Sequence, residues 1–227
     1  MLNVIFAMGQ NGEFGISPEY RKQIMDETHA ELRNVPTPGL PWKCRADMLF
    51  FRLMTKGIEG DINAYHELSS IFGGESLRAV INSAWSSDFA GLGVNGVISG
   101  LTTFLQMECN DSETRRFLPV DSDVIKGFGE FVENVNSLTD VINLVATTPA
   151  TTWIVGGKRI IEYTLAEHAA GKIKIDNMFV SVIKQNCNAD IHLDTDKLTA
   201  YIESDFTYNE NEHMENDEVL ITRFRGK

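Results

Sequence analysis

The chain has 227 residues, of which 43% are hydrophobic and 23% charged, a composition typical of a folded globular protein. Its formal net charge of −12 argues against a nucleic-acid-binding protein, which needs a basic face to displace counterions. The same charge disfavours binding to an anionic membrane surface. Any anionic ligand must therefore be held by local features such as helix N-termini and a few Arg or Lys residues.

The cysteine pattern indicates a reducing compartment. Cys44, Cys109 and Cys187 are widely spaced and form no Cys-x-x-Cys pair. No apolar run has the length of a membrane span, and the N-terminal segment lacks the basic residues of a secretion signal. We therefore expect a soluble, cytoplasmic protein that binds neither nucleic acid nor membrane.

The chain opens with a predicted strand and a predicted helix. Residues 2–8 form an apolar run that stops at a Gly-Gln-Asn-Gly turn, which is typical of a buried strand. Ser17 and Pro18 then supply a helix cap and a first helical position, so we expect a helix from Pro18 to about Arg33.

The segment 40–55 carries the clearest candidate site. A proline before Trp42 favours an extended entry, and Asp47 is a preferred N-cap residue that should begin the following helix. Phe51 and Thr55 then share a helix face with Asp47. A carboxylate beside aromatic rings suits a flat heterocycle with amidine-like N–H groups. A capped amphipathic core helix explains the same pattern equally well.

A second insertion, at about 57–93, is predicted to be a helical hairpin. Asp61 caps a first apolar-periodic run, and a Gly-Gly pair separates it from a second run that reaches Trp85. The stretch 91–96 fits G-x-G-x-x-G, but a Rossmann fingerprint must follow a strand and open a helix. We expect instead a strand at Asn95–Ser99, followed by a helix that begins at residue 100.

Strand and helix signals alternate in the second half of the chain. Thr152–Val155 is predicted to be a strand that ends at Gly156-Gly157, with a helix over Lys158–Ala169. Paired glycines at such a turn allow a phosphate or a nicotinamide to approach the backbone closely. Met178–Ile183 is the next predicted strand.

The C-terminal segment is predicted to close the sheet. Thr199–Tyr208 and Glu218–Arg225 alternate apolar and polar residues, which predicts a β-hairpin around an acidic loop at 209–217. Pro119, inside an earlier strand, predicts an irregular sheet edge. Alternating polar residues from His192 onward indicate a solvated strand edge rather than a metal site, so no metal is expected.

Several of these segments together resemble the dihydrofolate reductase family. Leu40-Pro41-Trp42, four further residues, Asp47, Phe50-Phe51-Arg52 and Thr55 resemble its substrate-binding segment, and the N-terminal strand and the Val155-Gly156-Gly157 turn match it in the same order. The resemblance implies an α/β fold with a central, mostly parallel sheet, flanking helices and a C-terminal antiparallel hairpin. It implies one domain spanning 1–227, with helical insertions at about 17–38 and 57–93.

The resemblance also implies an activity. It implies hydride transfer from NADPH to C6 of 7,8-dihydrofolate, with protonation at N5. Asp47 would orient the pterin and assist protonation, with Trp42, Ser181 and Thr55 in support. The residues implied to contact the substrate are Ala7, Met48, Phe51, Thr55 and Arg115, with Arg116 as the alternative to Arg115.

The cofactor is implied in the same way. The residues implied to hold it are Ile16, Gly100, Thr102, Thr103, Ser122, Gly156, Gly157, Lys158 and Arg159. Leu101 stands where many members have an Arg for the 2′-phosphate, and Asp121 would repel a phosphate, so NADH stays open beside NADPH. The segment Asn188-Ala189-Asp190-Ile191 resembles the family's Asp-containing loop that contacts the active-site lid. The oligomeric state stays open between a monomer and a homodimer.

Two other functions fit the sequence. One is a reductase of a related pterin or pyrimidine, against which the Leu-Pro-Trp and Asp47 pairing argues. The other is a catalytically weak, ligand-binding or structural protein on the same fold, because a fold does not fix a function.

Overall fold

The fold comes from a computed structural model of the chain. The structure describes residues 1–28, 40–85, 95–98, 114–119, 132–135, 151–155 and 157–227, with the backbone alone described at 25–28 and in the three short strands between 95 and 135. The strands are β1 (Leu2–Gly9), β2 (Glu13–Gly15), β3 (Asn95–Ile98), β4 (Thr114–Pro119), β5 (Val132–Val135), β6 (Thr151–Ile154), β7 (Asn177–Ile183), β8 (Ile191–His192), β9 (Phe206–Glu215) and β10 (Val219–Gly226). The helices are α1 (Pro18–Thr28), α2 (Arg45–Lys56), α3 (Ile62–Phe72), α4 (Gly74–Ile81), α5 (Lys158–Ala169) and α6 (Thr195–Asp205).

The central sheet has eight strands in the order β5-β4-β3-β6-β1-β7-β10-β9. Every pair from β5 to β7 is parallel, whereas β10 runs antiparallel to both β7 and β9. The predicted mostly parallel α/β sheet with a C-terminal antiparallel hairpin is therefore confirmed. A separate pair, β2 with β8, is antiparallel.

Apolar side chains cover both faces of the sheet. Successive residues of a strand point to opposite faces, so Ile5 packs in a cluster with α2, α3 and α4, whereas Val4 and Phe6 pack in a second cluster with α5 and α6. None of the helices in the described part of the chain has the length and apolar composition needed to cross a lipid bilayer.

The second insertion is part of the core. Its two predicted helices are confirmed as α3 and α4, and Leu68, Leu77 and Val80 are fully buried. Asp61 caps α3 by accepting a hydrogen bond from the Ala64 N–H at 3.1 Å. The second helix ends at Ile81 rather than reaching the tryptophan four residues later.

A buried arginine fastens this insertion to the sheet. Arg223 on β10 is 1% exposed, and its guanidinium donates to Asn177 Oδ1 at 2.6 and 3.0 Å. It also donates to the carbonyl oxygen of Val80, in the last turn of α4, and to those of Asn82 and Ser83, which follow the helix. Helix C-termini leave such carbonyls without intrahelical partners and carry partial negative charge, so a cation suits them.

Three predictions about the sheet and its edges are wrong. Residues 195–205 form α6, not a strand, because Asp194 caps the segment by accepting from the Lys197 N–H at 3.0 Å. The predicted acidic loop at 209–217 lies mostly within β9, and the turn is tighter, with Asn216 Oδ1 accepting from the N–H groups of Glu218 and Val219. Pro119 marks no edge: it is the last residue of β4, which lies between β3 and β5.

We expect Arg223→Met to lower the free energy of unfolding by about 3 kcal/mol, because it leaves several buried oxygen acceptors without donors. Urea unfolding at neutral pH measures the change. Arg45→Met removes the same charge from a side chain that is 77% exposed and should leave stability unchanged. Equal stability of Arg223→Met and the wild type would show that the hydrogen bonds of Arg223 contribute nothing to stability.

Candidate active site

Helix α2 places Asp47 at the edge of the core. The helix begins at Arg45 with Cys44 as the N-cap, so the prediction that Asp47 caps it is wrong. The cause is the backbone: Cys44 is extended, and its carbonyl accepts the first helical bond from the Met48 N–H at 3.2 Å. Asp47 therefore lies in the first turn, where the helix dipole still favours a carboxylate.

The face that carries Asp47 meets solvent on one side. Phe51 is half-buried and packs against the core cluster, whereas Met48 is 57% exposed. Thr55 is buried, but its hydroxyl donates to the carbonyl oxygen of Phe51 at 2.8 Å. This hydroxyl hydrogen bond lies within the helix, and support of the Asp47 carboxylate by Thr55 stays a prediction.

The sheet brings Ser181 to the same place. Parallel pairing of β1 with β7 sets Ala7 opposite Ser181, near the carboxyl ends of both strands. Ser181 is 2% exposed, and hydrogen bonding by its side chain lowers the pKa of Asp47. In open α/β sheets ligands bind outside the carboxyl ends of the strands, and Asp47 lies there.

Burial dominates the ionisation of Asp47. It raises the pKa of Asp47 to about 6, against an ordinary value of 3.8, while hydrogen bonding to Ser181 and Trp42 works in the opposite direction. Among the described residues, no charged neighbour contributes to this shift. The residue as a whole is only half-buried, so the carboxyl group is the enclosed part, and it titrates close to neutral pH.

Trp42 adds a buried donor to the site. The residue is 5% exposed, and its indole nitrogen has no hydrogen bond of standard geometry with any described residue. The indole N–H still lowers the pKa of Asp47, but it does so without a short hydrogen bond to the carboxylate. The loop that carries it is held to the β7–β8 connection, since Gln185 Nε2 donates to the Lys43 carbonyl at 3.2 Å.

The start of the first insertion lies beside β8. Ile16 is 2% exposed, and the next residue, Ser17, donates from its N–H to Asp190 Oδ1 at 2.8 Å and from its hydroxyl to Asp190 Oδ2. The Ser17 oxygen also accepts from the Tyr20 N–H at 3.1 Å, which confirms the predicted cap of α1. The structure thus joins the Asp190 loop to the segment that the resemblance implies for the lid.

The N-terminus of α5 offers a second feature for a ligand. Gly157 is the N-cap, and a Cβ added there would meet nothing within 4 Å. Lys158 forms an ion pair with Glu162 at 3.7 Å, and Arg159 is exposed. The open backbone, the positive end of a helix and two adjacent cations fit an anionic phosphate group.

Other predicted residues lie outside what the structure describes. Arg115 and Arg116 are both in β4, where the backbone alone is described. Gly100, Thr102, Thr103, Ser122 and Gly156, and the end of the first inserted helix, lie outside the described residues. Within the described ranges no group of three His, Cys, Asp or Glu side chains is placed to hold a metal ion.

Cys44 is the neighbour that the sequence did not reveal. It is 1% exposed, three residues before Asp47, and its Sγ lies 4.0 Å from Glu218 Oε2 at the β9–β10 turn. Burial, with the nearby Asp47 and Glu218 carboxylates, raises the pKa of the Cys44 thiol. The only signal for it in the sequence was its place just before the helix.

Comparison with known proteins gives a fold. No protein-family model and no curated protein matches the sequence. Among solved structures, a dihydrofolate reductase from Enterococcus faecalis, complexed with NADP(H) and RAB-propyl, matches with a TM-score of 0.55 and 14% identity, over 100% of this chain and 96% of that one. The chain has a dihydrofolate-reductase-like fold. The resemblance stated from the sequence is thus confirmed for the fold.

We expect Asp47→Asn to stabilise the protein above pH 6, because the raised pKa means that folding disfavours the charged carboxylate. The protonated group costs nothing below its unfolded-state pKa of about 3.8, and the penalty grows until pH reaches the folded-state pKa of about 6. The gain of Asp47→Asn should therefore rise from near zero at acidic pH to about 2 kcal/mol at neutral pH.

Urea unfolding of both proteins across this pH range measures the gain. Asp217→Asn, at an exposed turn position, is the control and should show no such rise. A pH-independent difference between Asp47→Asn and the wild type would contradict the inferred burial of the carboxylate.

Proposed function

We propose that the chain reduces 7,8-dihydrofolate to tetrahydrofolate with NADPH. The observation that carries the proposal is the enclosed Asp47 carboxyl group beside Ser181, at the carboxyl ends of β1 and β7, in a dihydrofolate-reductase-like fold. The low identity to the solved structure supports the fold alone, so the activity rests on this site.

The carboxyl group suits a pterin for two reasons. An ionised carboxylate accepts two hydrogen bonds from the paired N–H groups at the amidine-like edge of the ring, which fixes the orientation of the ring. A carboxyl group with a pKa of about 6 also exchanges its proton near neutral pH, so it assists protonation at N5. Phe51 and the exposed Met48 provide apolar surface for the ring and its substituent, beside Ala7.

The cofactor is proposed to bind between Ile16 and the N-terminus of α5. Reduced nicotinamide supplies a hydride when it is bound there. Gly157 leaves room for the diphosphate near the helix N-terminus, and Lys158 and Arg159 attract its charge. NADPH is proposed as the cofactor, with NADH as the alternative. The remaining residues proposed to hold the cofactor are Gly100, Thr102, Thr103, Ser122 and Gly156. Arg115, or alternatively Arg116, is proposed to bind the carboxylate of the substrate.

We also propose a single domain, monomeric or homodimeric, in the cytoplasm. Cys44 and Cys187 are both free thiols in the described part of the chain, which suits a reducing compartment.

The activity is tested by following the absorbance of reduced nicotinamide with dihydrofolate present, using NADPH and NADH in parallel. We expect Asp47→Asn to lower kcat/KM by a factor of about 10² to 10³ at neutral pH, because the amide neither carries the charge nor donates the proton. The rate of the wild type should fall above pH 6 as Asp47 loses its proton, and this dependence should vanish in the variant.

Asp217→Asn is again the control and should retain wild-type turnover. Saturable binding of dihydrofolate without oxidation of either cofactor would contradict the proposed reductase activity and favour a binding protein on the same fold. Unchanged turnover in Asp47→Asn would remove Asp47 from the mechanism.

The cofactor site has its own test. We expect Gly157→Ala to raise the KM for NADPH by about tenfold while leaving the urea midpoint unchanged, because φ is −74° and the added methyl group meets no protein atom within 4 Å. Steady-state kinetics and urea unfolding measure the two effects. An unchanged KM would place the diphosphate elsewhere.

A further inference from the structure

A cleft lies beside helices α3 and α4. Its volume is about 580 Å³, within the usual range for small-molecule sites. Residues of α3 and α4, with the segments that follow α2 and α4, line it, and neither Asp47 nor Ser181 is among them. The cleft is therefore distinct from the proposed active site.

Aromatic and aliphatic residues form the apolar part of the cleft. Tyr65 and Trp85 both line it, together with Ile58 and the buried Ile81. Trp85 is fixed in place, because its indole N–H donates to the Met54 carbonyl at 3.0 Å. Two aromatic residues around one cleft favour a flat, aromatic ligand.

Polar groups complete the lining. Arg78 is exposed, and its Nε donates to the Gly74 carbonyl at 3.0 Å, which orients the guanidinium group. Among the described residues no carboxylate forms an ion pair with Arg78. In a chain with a net charge of −12, such a cation beside aromatic residues is complementary to an anion.

Hydrogen bonds to the sheet hold the polar residues Asn82 and Ser83 in place. Ser83 has a φ of 57°, a left-handed conformation that residues other than glycine rarely adopt, and both Ser83 and Asn82 line the cleft. The carbonyl oxygens of both residues accept from Arg223, and the next carbonyl, of Ala84, accepts from Asn3 Nδ2 at 2.8 Å. A strained backbone segment that several hydrogen bonds hold in place is typical of a functional site.

We propose that this cleft binds a small planar aromatic anion, with its ring against Tyr65 and Trp85 and its carboxylate on Arg78. The apolar floor removes the ring from water, and the guanidinium pairs with the carboxylate by two parallel hydrogen bonds. Asn82 and Ser83 supply further hydrogen bonds at the polar wall. This site does not depend on the proposed reductase activity.

The probe is 2-naphthoate, with neutral 2-naphthamide and the ring-saturated cyclohexanecarboxylate as comparison compounds. Calorimetry on the full chain should show that 2-naphthoate binds, that the other two bind at least tenfold more weakly, and that added salt weakens the binding. Quenching of tryptophan fluorescence should accompany binding and be lost in Trp85→Leu. Asp47→Asn should bind 2-naphthoate as the wild type does.

Arg78→Gln should weaken 2-naphthoate binding by about tenfold, the value of one charged hydrogen-bonded contact. Arg45→Gln removes the same charge from the neighbouring α2 and should bind as the wild type does. Equal affinities of Arg78→Gln and the wild type, equal binding of 2-naphthamide, or competition by dihydrofolate would each overturn the proposal. None of these results bears on the reductase assay.

Discussion

The parallel pairing of β1 with β6 and β7 is the constraint on which the candidate site depends. Because β1 lies between these two strands, all three end at the same edge of the sheet. The register that sets Ala7 opposite Ser181 fixes where a group on α2 meets the sheet. The turn from β6 into α5 leads the chain from the same edge to Gly157. The two candidate ligand-binding features thus share one edge of the sheet, at a distance set by the spacing of neighbouring strands.

The insertion depends on the sheet in the same physical way. Helices α3 and α4 bury their apolar faces in the cluster that also contains α2, so they extend the core. Their attachment uses a charge, since Arg223 satisfies carbonyl oxygens at and just beyond the C-terminal end of α4 that no apolar residue could satisfy. Burial lowers the pKa of Arg223 to about 10, so the guanidinium remains protonated at neutral pH. Asn177, which accepts from Arg223, also donates to Asn3 on β1 at 2.8 Å, so the network reaches the central strand.

The sequence predicts elements well where one pattern dominates. The bounds of α5 and the cap of α1 follow from glycine, serine and proline signals that act locally. The strand predicted at Thr199–Tyr208 was wrong because it rested on the alternating polarity of these residues. The Asp194 cap and the helical spacing of Leu198, Tyr201 and Ile202 were the stronger signals. The meeting of Asp47 with Ser181 depends on strand order and register, which no local pattern contains, so the resemblance alone implied it. No local pattern predicted the contacts of Arg223, because its acceptors are three backbone carbonyls and the side chain of Asn177, which is 46 residues away in the sequence.

The loss of folding stability caused by burying Asp47 helps to decide between an enzyme or binding protein and a structural protein. A carboxyl group whose pKa is raised by burial makes the folded state less stable at neutral pH than an uncharged residue would. Trp42 adds a buried indole N–H that lacks a short hydrogen bond to a described residue. A structural role at the start of α2 would be served better by apolar side chains, which carry neither cost. Unfavourable polar burial that concentrates at the carboxyl ends of parallel strands is typical of catalytic and binding sites. The same reasoning separates Asp47 from Arg223, whose hydrogen bonds go to the protein's own atoms.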